Sequence, residues 1–362
     1  MHNIGIIGYG AFGRFLRQSW SELGNARVSF ITKTQTETAR KMAEEDGVPK
    51  YSADHRDLLA DPEVEIVAIC APPHLHEQIA VEALKAGKHV LVEKPLAMNP
   101  EQAQNIVRAA KESGRVASVN FMMRYSGLME KLHSLCEEGL LGGLRRVIVE
   151  NYAGDSGLRP DHWFWDQGKS GGIFVEHGVH FFDIVGWMIG SRSAQVSGLA
   201  TERAPGIEDK VLAVVEYEDQ TMATFYHAFS GYRPLERTTA RYVFDRGQVD
   251  VEGWIPISLR LRGYVSEEEC ARLRSLFKGA TATATALGEH EIVVSGKSYS
   301  VAMDIDLSYT ESKDKQAEYA RCVQRLMSDM IAAIEDPSHK MRVTLEDGLR
   351  SVEIACAAAK TV

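Results

Sequence analysis

The chain opens on a short β-branched run at residues 3–7, which meets a cluster of glycines and then an amphipathic helix reaching about residue 23. The same alternation recurs. Apolar runs at 28–32, 65–71, 89–92 and 116–119 read as buried strands. Between them, 37–45, 74–86 and 100–113 have helical spacing, the last two stopped by Gly87 and Gly114. Strands alternating with helices in this way predict a parallel, doubly wound sheet. The rhythm then changes. A helix at 128–138 and a strand at 144–152 lead into a loop at 153–170 and a helix at 173–189 that is apolar almost all round. Short strands with turn signals follow at 194–200, 210–217, 221–229, 239–245, 248–252 and 257–261. They predict an open, mostly antiparallel sheet with helices on one face. Ser266-Glu267-Glu268-Glu269 is a capping box for a helix ending by Gly279, and residues 280–286 are a biased loop or strand. A hairpin is expected at 291–303 around Gly296, then a helix at 317–334 and a final helix capped by Thr344. Two domains result, 1–121 and 122–362.

Composition narrows the functional classes. The 362 residues are 44% hydrophobic and 25% charged, enough for two domains with real cores. A formal net charge of −9 argues against nucleic acid as a partner. No apolar run approaches the roughly 20 residues of a membrane span, and the opening strand leaves no room for a signal peptide. Cys70, Cys136, Cys270, Cys322 and Cys356 have no paired spacing and read as reduced, which suits a cytoplasmic protein.

The glycine cluster is Gly8-Tyr9-Gly10-Ala11-Phe12-Gly13, a GxGxxG that follows a strand and opens a helix. In that context it marks a dinucleotide fold. Gly8 permits the tight turn, Gly10 lets the backbone approach a pyrophosphate at the positive helix end, and Gly13 lets helix and strand pack closely. The acid expected about 20 positions later, for a ribose 2′-hydroxyl, is absent. The second strand ends Thr32-Lys33-Thr34 instead, where hydroxyls and a lysine suit a 2′-phosphate, so NADP(H) is favoured over NAD(H).

The apolar helix carries Glu176, His180 and Asp183 at i, i+4 and i+7, one narrow stripe. Ionisable groups on a buried face are either a satisfied seam within a core or a site. The preceding loop holds Trp163 and Trp165 among polar residues. Such aromatics either wall a sugar site, stacking on C–H-rich faces, or pin the loop to the core.

Four features in order carry a resemblance: the N-terminal glycines, Ala71-Pro72-Pro73-His74-Leu75-His76 after the fourth strand, Glu93-Lys94-Pro95 after the fifth, and the GGxxxExGxHxxD helix beginning at Gly171. With these the chain resembles the Gfo/Idh/MocA family of glucose–fructose oxidoreductases and inositol dehydrogenases, specifically over residues 1 to about 190. The resemblance implies an NAD(P)-dependent oxidoreductase acting on a sugar or polyol-like alcohol or ketone, with Lys94, His180 and Glu176 as the catalytic set. It implies cofactor contacts at Gly8, Gly10, Ala11, Phe12, Gly13, Thr32, Lys33, Thr34, Ala71, Pro72, His76, Glu93 and Lys94. Arg124, Trp163, Trp165 and His177 are candidates for substrate, and Asp183 for orienting the site. Arg124 equally suits a tether at the domain boundary. Glu176 stands where the family usually has aspartate, and Pro73 where it often has asparagine. Family members commonly pair through the C-terminal sheet, so a homodimer or homotetramer is expected. His162, Glu176, His177 and His180 form a conceivable metal set, but Glu176 and His180 already have roles, and no metal is expected. The alternatives are redox-assisted bond cleavage with bound NAD, or a catalytically silent NAD(P)-binding regulator.

Overall fold

The computed structural model describes residues 1–155, 158–159 and 161–361. Strands and helices first alternate: β1 (His2–Ile7), α1 (Ala11–Trp20), β2 (Ala26–Thr32), α2 (Thr36–Asp46), β3 (Lys50–Ser52), α3 (His55–Ala60), β4 (Ile66–Ile69), α4 (His76–Lys85), β5 (His89–Val92), α5 (Pro100–Ser113) and β6 (Ala117–Val119). Next come α6 (Gly127–Glu137), β7 (Leu144–Gly154), α7 (Gln167–Ser170), a π turn (Phe174–Gly178) and α8 (Val179–Ile189). The remainder is β8 (Ser193–Ala204), β9 (Ile207–Tyr217), β10 (Met222–Gly231), β11 (Arg237–Phe244), β12 (Gly247–Glu252), β13 (Ser258–Val265), α9 (Glu267–Leu276), β14 (Thr281–Val294), β15 (Lys297–Thr310), α10 (Lys315–Glu335) and α11 (Leu345–Ala359).

The chain divides into two compact units. The first takes in residues 1–125, 160–183 and 320–356, the second 126–159, 184–319 and 357–362. A single cut near residue 121 does not anticipate this, because the segments that rejoin the first unit do so through tertiary packing. Trp20, fully buried, donates its indole N–H to the Val323 carbonyl, 303 positions away.

In the first unit β1–β6 form a parallel sheet of order β3-β2-β1-β4-β5-β6. Every residue of β4 and β5 is buried, as expected when helices cover both faces. The ends of α5 are set locally: Asn99 caps its first turn, Pro100 starts it and Gly114 stops it in the left-handed region.

In the second unit β7–β15 form one sheet, ordered β14-β15-β13-β12-β11-β7-β10-β9-β8. Only β7 and β10 pair in parallel. Ser266 and Glu269 make both capping-box bonds of α9. The biased stretch at 280–286 and the hairpin merge into one long ribbon, with an irregularity between Ala286 and His290. Ser295 and Gly296 turn it with positive φ.

Strand β3 and helix α3 are not anticipated, being too short to show a period. The loop at 153–170 contains a 3₁₀ turn at Trp163–Trp165 and α7; its residues 156, 157 and 160 lie outside those described. The helix expected over 173–189 runs without interruption, but its Phe174–Gly178 part is a π turn that leads into α8.

Candidate active site

The glycine loop is built as its spacing demands. Gly8 has φ 86°, and a Cβ there would fall 2.7 Å from Cys70 and Ala71 backbone atoms at the end of β4. The Gly8 and Tyr9 amides donate to the Thr32 carbonyl at 3.2 and 2.9 Å, locking the loop to the end of β2. A Cβ at Gly13 would press on Ile6 Cγ2 at 3.2 Å, whereas at Gly10 it would meet only Gly8 O at 3.9 Å. Space is therefore left on the Gly10 side, at the head of α1. That helix has no side-chain cap and no acid in its first turn, so a dinucleotide pyrophosphate fits there. Ala11 is exposed and Phe12 half-buried. At the end of β2, Thr32 is buried, Lys33 half-buried and Thr34 exposed.

Ala71 and Pro72 follow β4 and are half-buried. His76 departs from the reading that made it a cofactor contact. Its ring is 1% exposed and is engaged by two backbone carbonyls, Pro95 at 2.7 Å from Nδ1 and Ala71 at 2.8 Å from Nε2. Glu93, just past β5, accepts from the Asn120 side-chain amide and, at 3.3 Å, from the Lys94 backbone N–H. Burial pushes its carboxyl up to about 7, against the pull of Asn120 and Lys94.

Lys94 is the centre of the arrangement. Its Nζ donates to the Glu176 carboxylate at 2.7 Å and to the Glu176 backbone carbonyl at 2.9 Å. Both side chains are largely buried. Glu176 lies within the π turn, whose carbonyls reach five residues on rather than four; such turns recur at functional sites. His177 and His180 flank it, their rings 6.2 Å apart. His177 also lies 5.6 Å from the Phe181 ring, and buried His180 6.5 Å from that of Phe121. Burial, and then the Lys94 charge, depress the His177 pKa to about 3, so this imidazole is neutral.

The stripe read from the sequence is therefore divided. Asp183 does not join Glu176 and His180; it accepts two bonds from the Arg124 guanidinium, Nε at 2.9 Å and Nη2 at 2.5 Å. Arg124 Nη2 also donates to Asp347 at 3.0 Å, and Nη1 to the Arg342 carbonyl at 3.3 Å. Arg124, expected as a substrate ligand or a tether, is spent as a buried tether. Trp165 also departs from its reading: it is 7% exposed and packs edge-on against Phe164 at 4.9 Å, which makes it core. Trp163 is half-buried beside His162. Sequence reading missed Asn120 and Asp347. A polar residue directly after β6 was a signal for the first; the second is visible as part of the Thr344–Asp347 cap of α11, but nothing local ties it to Arg124.

Comparison with known proteins identifies the family. A model of the oxidoreductase family with an NAD-binding Rossmann fold matches residues 2–121, and a Gfo/Idh/MocA C-terminal domain model matches residues 129–249. The chain belongs to the Gfo/Idh/MocA oxidoreductase family. It is 28% identical over 236 residues to 1,5-anhydro-D-fructose reductase of Ensifer adhaerens, covering 64% of this chain and 70% of that one. It is 27% identical over 193 residues to myo-inositol 2-dehydrogenase of Thermotoga maritima, covering 53% and 56%. For several curated relatives the chain spans little more than half their length. A levoglucosan dehydrogenase solved with NADH and L-sorbose shares the fold at TM-score 0.79 and 18% identity, over 99% of this chain and 96% of that one.

Proposed function

We propose that the chain is a nicotinamide-dependent dehydrogenase acting on an alcohol of a sugar or polyol and on its ketone. The observation that carries this is Lys94, presented at the carboxyl end of a parallel strand and held by two bonds to Glu176. Carboxyl ends of such strands face the ligand crevice. The relatives named as inositol dehydrogenase and anhydrofructose reductase support the substrate class.

The bound dinucleotide supplies the hydride acceptor or donor. Gly8, Gly10, Ala11, Phe12 and Gly13 would hold its pyrophosphate at the head of α1, and Ala71, Pro72 and Glu93 would contact the remainder of the dinucleotide. Lys94 is a catalytic residue: its ammonium binds the reacting oxygen and stabilises the charge that develops as the hydroxyl proton leaves. His180 accepts that proton, a task suited to imidazole, and returns it in the reverse reaction. Glu176 is a positioning residue, its carboxylate and backbone carbonyl aiming the Lys94 ammonium. His177, neutral beside Lys94, and half-buried Trp163 contact the substrate. NADP(H) is preferred to NAD(H), because residues 32–36 (TKTQT) carry Lys33 and no carboxylate.

The active form is a homodimer or homotetramer joined through the face of the nine-stranded sheet that carries Ile148, Thr224 and Arg241, which are cross-strand partners on one side of the pleat. Leu199 and Met222 stand 65% and 50% exposed on that side. None of the five cysteines is in a disulfide, in keeping with a cytoplasmic protein, and no helix among the described residues is long and apolar enough to cross a membrane.

The test is incubation with NADP⁺ or NAD⁺ and a panel including myo-inositol and levoglucosan, following absorbance of reduced nicotinamide. Net reduction with any member supports the reading. Dinucleotide bound tightly with no net redox change on any substrate contradicts it.

A further inference from the structure

The family resemblance implies a cofactor contact at His76; in the structure its ring is engaged by two backbone carbonyls. It is buried between two strand ends, Nε2 at 2.8 Å from the carbonyl of Ala71 after β4 and Nδ1 at 2.7 Å from the carbonyl of Pro95 after β5. Pro95 is the residue next to Lys94, and Ala71 is the residue whose backbone amide lies against Gly8. One side chain therefore bridges the glycine-loop side of the sheet and the segment that carries the lysine.

We propose that His76 is a positioning residue, a latch that fixes the backbone of Lys94 relative to the end of β4 and so sets where the ammonium meets Glu176. Its bearing on catalysis rests on the role given above to Lys94; the latch itself does not. Backbone carbonyls only accept hydrogen bonds, and a neutral imidazole has a single N–H. Both bonds form together only when both ring nitrogens carry hydrogen. Burial above all, with the neighbouring Lys94 and His74, outweighs the two carbonyls and lowers the His76 pKa from its ordinary value, so the doubly protonated ring belongs to acid pH. Raising the pH out of that range releases one end of the latch and leaves a buried carbonyl facing a ring lone pair, a costly contact.

The experiment needs no substrate. The rate of reductive methylation at Lys94 is read by peptide mapping at pH 5.5, in the acid range where the ring can hold both protons, in the wild type, His76→Ala and His76→Gln, with Lys41 as the internal reference. Circular dichroism melting checks that each variant is folded. A glutamine amide offers two N–H donors without charge, so it can restore the bridge. We expect Lys94 to be methylated at least five-fold faster in His76→Ala, with His76→Gln returning at least half of the difference and the Lys41 rate unchanged. Equal Lys94 rates in wild type and a folded alanine variant overturn the latch. If alanine prevents folding, the wild type decides by long-range ¹H–¹⁵N spectra of its histidines, with the His76→Gln spectrum assigning the signal. Two protonated ring nitrogens at pH 5.5 that become one on raising the pH uphold the latch, and a single N–H throughout overturns it. Loss of dehydrogenase activity plays no part in either readout, so failure of the latch and failure of the proposed reaction are separable.

Discussion

Lys94 Nζ lies 2.7 Å from a carboxylate oxygen of Glu176 and 2.9 Å from the same residue's backbone carbonyl, across 82 positions of sequence. One residue thus supplies both a charge and a fixed dipole to one ammonium. The π turn changes the helical phase at this point, and the longer glutamate occupies the position where the family usually carries aspartate.

Replacing Glu176 separates the two contributions. Glu176→Gln keeps the carbonyl contact and removes the charge; turnover should fall about 100-fold, the scale on which a lost transition-state donor acts. Glu176→Asp keeps the charge on a side chain one methylene shorter and should cost roughly 10-fold, since small misplacements are expensive at a reacting centre. Steady-state kinetics decide the order; equal losses in both variants would show that reach alone matters.

Arg124 should govern stability rather than substrate affinity. It joins Asp183 and Asp347 in a buried cluster; removing it strands Asp183, whereas Asp347 keeps Arg350 and Thr344. Arg124→Met should cost about 3–5 kcal/mol in urea unfolding. Adding Asp183→Leu should recover part of that loss, because the stranded carboxylate goes with it. A double variant less stable than the single one contradicts this account.

Glu93 should impose a pH dependence of its own. Its carboxyl is pushed from 4.5 up to about 7 by burial, so the folded state holds the proton more tightly than the unfolded chain. The contribution is therefore fully present below about pH 4.5 and is lost as pH rises through 7. One proton corresponds to a slope of at most about 1.4 kcal/mol per pH unit. Unfolding by urea at several pH values should show a shallower decline over this window in Glu93→Gln than in the wild type.

The exposed side of the nine-stranded sheet, which carries Ile148, Thr224 and Arg241, should control assembly. Leu199→Glu with Met222→Glu places two charges where exposed apolar side chains stand. Light scattering should show the mass of the wild-type oligomer falling to that of the monomer, with the far-ultraviolet spectrum retained. An unchanged mass places the subunit contact elsewhere.

How far these features were legible in the sequence depends on how local their causes are. The GxGxxG turn, the caps of α5 and α9 and the all-buried runs of β4 and β5 are written in neighbouring residues, and the structure keeps them. The glutamate–lysine grip was visible only as two motifs; a regular helix cannot be told from a π turn by spacing, so Glu176 could be assigned to either Lys94 or His180. Asp183 shared the stripe by count but follows Arg124, because a buried guanidinium with two acceptors is satisfied by partners 59 and 223 positions away. Trp165 and Trp163, two positions apart, looked alike; packing against Phe164 buries one and leaves the other half-buried. His76 is expected at the cofactor from the family resemblance alone, and only the carbonyl positions reveal its bonds.

The most direct test of the central claim compares wild type with Lys94→Met under identical conditions. Reduction of NADP⁺ or NAD⁺ is followed with whichever polyol the wild type oxidises, and dissociation constants for the reduced dinucleotide are measured by fluorescence titration. The account predicts turnover reduced at least about 100-fold, the scale of a lost transition-state donor, with the dinucleotide bound within a factor of about two of wild type. Turnover in Lys94→Met equal to that of the wild type would contradict it.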